Sequence, residues 1–287
     1  MLILSLLLAC DEEAPARVGG DDGLDSGQET AALIEPPAYS GGTCPALEAG
    51  GNPDFQSGED QRTFQLVLPA EPQGAPVVFV WHWLGGNGRQ ILNYGGFDAF
   101  AEEHGAIVIA PETRGIPYEW DTFDGANTPD LLFFDDMLSC VSEQLGADLS
   151  RVYSTGMSAG GLWTVTLSHY RSSWLAASAP LSGGATAKDW SPEESIPMML
   201  TWGGPTDIYG SGASAFSFDD ANILLADQLA ESGHFQVHCV HSNGHTLPPG
   251  GSDYVWSFFE AHPKGVASSP WSDALPGSLP DWCSLPE

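Results

Sequence analysis

Cationic side chains are scarce in this sequence. Its 287 residues include 8 lysines and arginines against 38 aspartates and glutamates, which gives a formal net charge of −30. A surface with that balance repels phosphate backbones, so we exclude nucleic acid as a partner. Apolar residues are not scarce, because 42% of the chain is hydrophobic and 10% is aromatic. That content is enough for a large core and excludes a chain that is disordered throughout.

The sequence also lacks a Cys-x-x-Cys pair, which argues against a structural zinc site. We expect neither a metal nor an organic cofactor. Apart from Cys10, the cysteines are Cys44, Cys140, Cys239 and Cys283. In an exported chain, four cysteines can form two disulfides, and three connectivities remain open.

No apolar run is long enough to cross a bilayer as a helix. Residues 1–10, MLILSLLLAC, lack basic residues but are typical of the hydrophobic part of a secretory signal. Leu7-Leu8-Ala9-Cys10 resembles a bacterial lipobox, in which the cysteine is lipidated. We therefore expect a lipoprotein signal peptide at 1–10 and a lipid anchor on Cys10. The protein would then lie outside the cytoplasm, anchored to a membrane or cell surface, or secreted.

Residues 11–45 are rich in acidic residues, glycine, proline and alanine, and they show little periodicity. This composition predicts a flexible acidic linker. The remaining residues, 46–287, carry the periodic patterns of a folded domain, and we assign them to one catalytic domain.

The folded part of the chain alternates between strand and helix patterns. Apolar and alternating runs predict strands at 63–68, 76–81, 106–110, 151–155, 174–181, 197–202 and 235–240. Amphipathic spacing predicts helices at 89–104, 131–146, 160–170, 218–232 and 254–262. Such alternation predicts an α/β fold with a mostly parallel central sheet and helices on both faces.

A glycine-bounded motif follows the strand predicted at 151–155. Gly156-Met157-Ser158-Ala159-Gly160 fits the pattern G-x-S-x-G at a turn from strand to helix. Such a turn is tight, and small neighbours let it raise the serine hydroxyl above the sheet. The N–H of Ala159, at the start of the helix, could then stabilise an oxyanion. Ser158 is therefore the candidate nucleophile, and Ala159 is a candidate oxyanion donor.

A serine hydroxyl needs a base, and in this architecture an acid and then a histidine follow the serine along the chain. Asp207 comes after the strand at 197–202 and His245 after the strand at 235–240, beyond the carboxyl ends of both. We expect His245 to take the proton of Ser158 and Asp207 to orient the imidazole. Rival residues lie nearby: His241 for the base, and Asp219 and Asp220 for the acid.

A second oxyanion donor is expected in the loop after the strand at 76–81. This loop reads His82-Trp83-Leu84-Gly85-Gly86-Asn87-Gly88, and its glycines let backbone N–H groups approach a substrate. We expect the N–H of Leu84 to be the donor, with that of Trp83 as the alternative. We expect His82 to support the loop by hydrogen bonding and to take no part in proton transfer.

Taken in order, these segments resemble a known family. From about residue 60 to 262 the sequence is similar to the α/β-hydrolase esterases known as polyhydroxybutyrate depolymerases and feruloyl esterases, of the lipoprotein type. The most specific match is residues 151–161, RVYSTGMSAGG, which resembles the family pattern R-V-Y-x-T-G-x-S-A-G-G. Three further segments are also similar to family motifs: the loop at 82–88, FDAFAEEHGAIVIAP at 97–111 and HSNGH at 241–245.

The resemblance implies an α/β-hydrolase fold and a triad of Ser158, Asp207 and His245. It implies two-step hydrolysis of a polyester, an aryl ester or an acetyl sugar ester. Two positions depart from the family: Trp83 replaces a small residue, and Gly203 stands where a histidine is frequent.

Aromatic residues near these motifs could line the substrate cleft. Trp83 and Trp120 are the candidates for contact with the substrate, and packing in the core is the alternative role for both. Two other functions remain open: a serine peptidase of the same fold, and a non-catalytic carbohydrate-binding protein anchored at the cell surface.

Overall fold

The structure, a computed structural model, describes residues 34–115, 120–122, 125–185, 191–248 and 250–286. The strands within these residues are β1 (Gly50–Ser57), β2 (Asp60–Val67), β3 (Val77–Trp81), β4 (Ile107–Pro111), β5 (Val152–Met157), β6 (Ala177–Leu181), β7 (Met198–Trp202), β8 (Ile208–Tyr209), β9 (Phe216–Ser217), β10 (Gln236–Val240) and β11 (Cys283–Ser284). The α-helices within them are α1 (Gly88–Gly95), α2 (Ala99–His104), α3 (Pro129–Leu145), α4 (Ala159–Arg171), α5 (Phe218–Glu231) and α6 (Gly251–Ala261).

One large sheet organises the described part of the chain. Its strand order is β1-β2-β4-β3-β5-β6-β7-β10-β11. The six strands from β4 to β10 in this order are parallel. Antiparallel strands close both edges, β1 and β2 on one side and β11 on the other. The mostly parallel sheet predicted from the sequence is therefore confirmed, and β8 and β9 form a small separate hairpin.

Successive side chains of a strand point to opposite sides of the sheet, and in the central strands the side chains on both sides are buried. In β3, Val77, Phe79 and Trp81 pack in a core cluster with residues of α3, α4 and α5. Val78 and Val80 pack in a second cluster with residues of α1, α2 and α6. Helices thus cover both faces, as the alternation of strand and helix patterns predicted.

The prediction of a single helix over 89–104 is wrong, because two helices, α1 and α2, occupy that range. Gly96 ends α1 with φ 72°, in the left-handed region, and its N–H bonds the carbonyl of Leu92. Glycine adopts this conformation without a steric penalty and commonly ends helices. The amphipathic spacing continues past this break, which is why the pattern alone suggested one element.

Two disulfides fix the connectivity that the sequence left open. Cys44 bonds Cys140 of α3, across 96 residues of sequence. Cys239 of β10 bonds Cys283 of β11, across 44 residues. The first disulfide attaches the segment before β1 to α3, and the second attaches the C-terminal segment to the edge of the sheet.

Residues 34–45, which the sequence assigned to the linker, lie against the domain. The carboxylate of Asp136, in α3, is buried and accepts hydrogen bonds from the N–H and hydroxyl of Ser40, each 2.7 Å long. Ser57 donates a third bond of 2.7 Å to the same carboxylate. The boundary expected at residue 45 therefore moves toward the N-terminus, at least to residue 34.

The expected signal peptide at 1–10, its Cys10 and residues 11–33 lie outside the described residues. Within the part of the chain that the structure describes, no helix has both the length and the apolar character needed to cross a membrane.

Candidate active site

Ser158 lies at a strained turn between β5 and α4. Its φ of 60° and ψ of −119° are rare for a residue other than glycine. A Cβ added to Gly160 would lie 2.1 Å from the carbonyl oxygen of Trp81, and one added to Gly156 would lie 2.6 Å from the carbonyl oxygen of Gly160. The G-x-S-x-G pattern is therefore a steric requirement of this turn. The N–H of Ser158 is held by the carbonyl of Leu181, at 3.0 Å.

The structure brings the three predicted residues together. His245 Nε2 lies 2.9 Å from Ser158 Oγ, and His245 Nδ1 lies 2.6 Å from Asp207 Oδ1. A carboxylate only accepts hydrogen bonds, so Nδ1 carries the hydrogen and Nε2 accepts the hydroxyl hydrogen of the serine. The arrangement suits transfer of the serine proton to the imidazole.

Asp207 is fully buried, and two of the groups that donate to its carboxylate directly follow strands β6 and β7. Its Oδ2 accepts from the hydroxyl of Ser182, at 2.7 Å, and from the N–H of Gly203, at 2.8 Å. Gly203 also leaves room for the histidine loop, because a Cβ there would lie 2.2 Å from the carbonyl oxygen of Gly244. This close approach explains the glycine where the resembled family often has a histidine.

Sequence reasoning missed Ser182. It directly follows β6, and its φ of 43° is left-handed although it is not a glycine. Its position after a buried strand was the available signal, but the contact with Asp207 depends on β6 and β7 being neighbours in the sheet.

The rival residues occupy other positions in the structure. His241 is buried, its Nδ1 accepts the N–H of Asn243 at 3.2 Å, and burial lowers its pKa below the usual value. Asp219 accepts the indole N–H of Trp202 at 2.7 Å, and Asp220 is exposed in the first turn of α5. The ring that meets the serine is that of His245.

The imidazole of His245 is also held by aromatic rings. Phe218 stacks on it with centroids 4.4 Å apart and planes at 18°. Tyr209 lies on another side, with centroids 5.9 Å apart. These contacts restrict the ring to the orientation that joins Ser158 and Asp207.

A cavity of about 300 Å³ opens beside Ser158. Its walls are mostly apolar or aromatic, and its lining residues are Trp83, Leu84, Tyr94, Met157, Ser158, Tyr209, His245, Thr246 and Leu247. Trp83 thus lies where the sequence placed it, while Tyr94 of α1, Tyr209 of β8 and Leu247 were missed because no local pattern shows that these segments meet at Ser158. Among the described residues, no cluster of three or more His, Cys, Asp or Glu side chains is placed to hold a metal ion.

The structure corrects the prediction for Trp120. Its side chain is only 3% exposed, and its indole N–H donates to the carbonyl of His82 at 2.9 Å. The ring meets Trp81 edge to face, with centroids 5.0 Å apart. Trp120 therefore belongs to the core beneath the loop at 82–88 and does not line the cavity.

Both predicted oxyanion donors lie beside Ser158. Leu84 lines the same cavity, and Ala159 directly follows the serine as the first residue of α4. N–H groups in the first turn of a helix have no helical carbonyl to bond and can face an anion. His82 is fully buried and burial lowers its pKa, which favours the neutral ring and a supporting role.

The chain is similar in sequence to known hydrolases and esterases. The chain is 25% identical over 300 residues to the oxidized polyvinyl alcohol hydrolase of Sphingopyxis sp. (strain 113P3), covering 78% of this chain and 81% of that protein. It is 29% identical over 161 residues to feruloyl esterase D of Neurospora crassa, covering 51% of this chain and 54% of that protein. That match spans about half the length of the fungal protein.

The likeness extends to solved structures. The structure of native sOPH superposes with a TM-score of 0.71 at 22% identity, covering 86% of this chain and 96% of that chain. No protein-family model matches the sequence. The fold predicted from the resemblance, that of an α/β-hydrolase, is confirmed.

Proposed function

We propose that this chain is a serine carboxylic-ester hydrolase that forms an acyl-enzyme on Ser158. One observation carries the proposal: Ser158, His245 and Asp207 are joined by hydrogen bonds at the wall of an open, mostly apolar cavity. The relatives are a hydrolase and a feruloyl esterase, which supports an ester hydrolase as the enzyme class.

In the first half-reaction, Ser158 Oγ attacks the ester carbonyl while His245 Nε2 takes the hydroxyl proton. The carbonyl oxygen becomes an oxyanion, and the N–H groups of Leu84 and Ala159 stabilise its charge. The tetrahedral intermediate then collapses, the bond to the leaving alcohol breaks, and His245 gives its proton to that alcohol. Ser158 is left as an acyl ester.

In the second half-reaction, a water molecule takes the place of the alcohol. His245 removes a proton from the water, which attacks the acyl carbonyl, and the same N–H groups receive the new oxyanion. Collapse breaks the bond to Ser158 Oγ, which takes back the proton. The carboxylic acid leaves, and the buried Asp207 has stabilised the charged imidazole in both halves.

The cavity indicates the kind of ester. Its walls are aromatic and aliphatic, and they include the rings of Trp83 and Tyr94, which meet edge to face with their centroids 5.9 Å apart. Such walls suit an uncharged aryl or aliphatic group. We therefore propose polyesters, aryl esters or acetyl sugar esters as substrates. A screen of hydroxybutyrate, feruloyl and acetyl-xylan esters would rank them by kcat/KM.

We further propose that the protein works outside the cytoplasm, held by a lipid on Cys10 after removal of a signal peptide. The two disulfides support this, because such bonds persist in oxidising compartments. Metabolic labelling with a fatty acid, compared between the wild type and Cys10→Ala, tests the anchor.

The test of the enzymatic proposal is hydrolysis of p-nitrophenyl acetate and butyrate by the wild type and Ser158→Ala. Ser168→Ala is a matched control, because Ser168 is a buried serine of α4 whose hydroxyl bonds the carbonyl of Thr164. We expect turnover by the wild type and the control, and loss of turnover in Ser158→Ala.

Equal rates in the wild type and Ser158→Ala would refute the assigned nucleophile. Cleavage of peptide anilides with weak ester turnover would indicate a serine peptidase. If the wild type neither turns over esters nor reacts with a fluorophosphonate, the non-catalytic carbohydrate-binding alternative takes precedence.

A further inference from the structure

One carboxylate contacts both ends of the loop at 82–88, which we call the oxyanion loop. Glu112 directly follows β4, the neighbour of β3 in the sheet. Its Oε1 accepts the N–H of Gly88 at 3.0 Å, at the end of the loop. Its Oε2 lies 3.8 Å from Nε2 of His82, at the beginning of the loop. Sequence reasoning gave Glu112 no role.

The contact at Gly88 depends on the absence of a side chain there. An added Cβ would lie 2.5 Å from the carbonyl oxygen of Ala110 and 3.1 Å from Glu112 Oε1. Glycine therefore lets this end of the loop approach β4 and its carboxylate. Because Gly88 is also the first residue of α1, the carboxylate lies at the positive end of that helix, which stabilises the contact.

At the beginning of the oxyanion loop, His82 is fully buried, and one of its two ring nitrogens has a hydrogen-bond partner. Its Nδ1 lies 2.8 Å from the carbonyl oxygen of Trp83, and because a carbonyl only accepts, Nδ1 carries the hydrogen. Nε2 has no hydrogen-bond partner among the described residues, and the polar group that faces it is Glu112. Burial lowers the pKa of His82 and raises that of Glu112, so a proton on the carboxyl group would suit a bond to Nε2.

The carbonyl that His82 holds belongs to the peptide unit that carries the N–H of Leu84. The same oxygen, that of Trp83, also accepts the N–H of Gly86 at 2.9 Å. A trans peptide is planar, and its C=O and N–H point in opposite directions. Two bonds on the Trp83 oxygen therefore fix the direction in which the Leu84 N–H points.

We propose that Glu112 is a positioning residue for the Leu84 amide, which it fixes by holding the oxyanion loop directly at Gly88 and through His82 at the other end. The proposal rests on the proposed function, in which Leu84 donates to the oxyanion. A donor that is aimed before the reaction stabilises the transition state without reorganisation. Loss of Glu112 should therefore lower kcat more than it changes KM.

The test compares Glu112→Ala and Glu112→Gln with the wild type, using p-nitrophenyl butyrate. We expect Glu112→Ala to lower kcat by about 10- to 100-fold, less than the roughly 10²–10³ lost when an oxyanion donor is removed outright. KM should stay within about 3-fold, because the lining residues of the cavity remain. Glu112→Gln should keep kcat within about 3-fold, since its amide can accept from Gly88 and donate to His82 Nε2.

Asp148→Ala is the matched control. Asp148 is also a partly buried carboxylate that accepts a backbone N–H, that of Ser150 at 2.9 Å, but it lies before β5, at the amino end of the sheet. Its removal should leave kcat unchanged. If Glu112→Ala is recovered unfolded, Glu112→Asp replaces it, because the shorter side chain cannot reach both ends of the loop.

Four results would overturn the proposal: kcat of Glu112→Ala within 3-fold of the wild type, a rise in KM alone, the same loss in Asp148→Ala, or no rescue by glutamine. Failure of the proposed function looks different. In that case wild type and Ser158→Ala behave alike, whereas failure of this inference leaves an active wild type that depends on Ser158.

Discussion

Replacement of Asp207 by asparagine tests the proton path through the imidazole. The variant keeps the size of the side chain and removes one acceptor atom. Oδ2 faces two donors, the hydroxyl of Ser182 and the backbone N–H of Gly203. A backbone N–H cannot become an acceptor, so the amide oxygen of the new side chain has to occupy that position. The amide NH₂ then faces Nδ1 of His245, 2.6 Å from the replaced oxygen.

That orientation forces the wrong tautomer on the histidine. Nδ1 has to accept a hydrogen bond, so the ring hydrogen moves to Nε2, and Nε2 donates to Ser158 instead of accepting its proton. In the Ser-His-Asp triads of other hydrolases this change lowers kcat by about 10⁴-fold, equivalent to about 5 kcal/mol of transition-state stabilisation. We expect a loss of that size here, because Asp207 is fully buried and water cannot replace the lost acceptor.

The assay is steady-state hydrolysis of p-nitrophenyl butyrate, with the thermal midpoint as a control for folding. A folded Asp207→Asn with kcat reduced by about 10³–10⁵-fold supports the reasoning. A folded variant that keeps a tenth or more of the wild-type kcat would refute it, since the histidine would then act without help from this carboxylate.

Two further predictions concern the turn at Ser158 and the partly buried carboxylate of Asp148. Gly160→Ala should lower the free energy of unfolding by about 3 kcal/mol or more, because the added Cβ meets the carbonyl of Trp81. The control Gly277→Ala should change it by no more than about 1 kcal/mol, since a Cβ there has nothing within 4 Å. Similar denaturant midpoints for the two variants would contradict this prediction. Burial alone would raise the pKa of Asp148, but hydrogen bonds from Ser150 and Arg151 bring it below its usual value. A pKa that is lower in the folded state gives stability that is full above the unfolded value, about 3.9, and is lost as pH falls through the folded one. The thermal midpoint of the wild type should therefore exceed that of Asp148→Ala at pH 7, and the difference should shrink below about pH 4; a constant difference would speak against the shift.

The sequence was most informative where structure is local. The turn that carries Ser158 needs glycines at fixed positions, so the motif and the strand before it predicted the nucleophile. Chain order then selected Asp207 and His245, because both follow buried strands whose carboxyl ends share one edge of the sheet. Burial on both faces produced the continuous apolar runs that identified the parallel strands.

Features that depend on packing between distant segments could not be read from the sequence. Ser182 and Glu112 reach their partners because particular strands are neighbours, and no local pattern records that order. Trp120 was a candidate for substrate contact because it lies near a motif in the sequence, but in the fold its ring packs against Trp81 and Trp163 in the core. The disulfide pairing and the cavity walls contributed by Tyr94 and Tyr209 likewise depend on which elements, distant in sequence, meet in the fold.

The most direct test of the account is the site at which a fluorophosphonate modifies the protein, read by mass spectrometry of the labelled peptides. We expect a single adduct on Ser158 in the wild type, a much slower reaction in His245→Ala, and no adduct in Ser158→Ala. An adduct on another serine, or equal labelling of the wild type and Ser158→Ala, would contradict the central claim that this serine is the nucleophile.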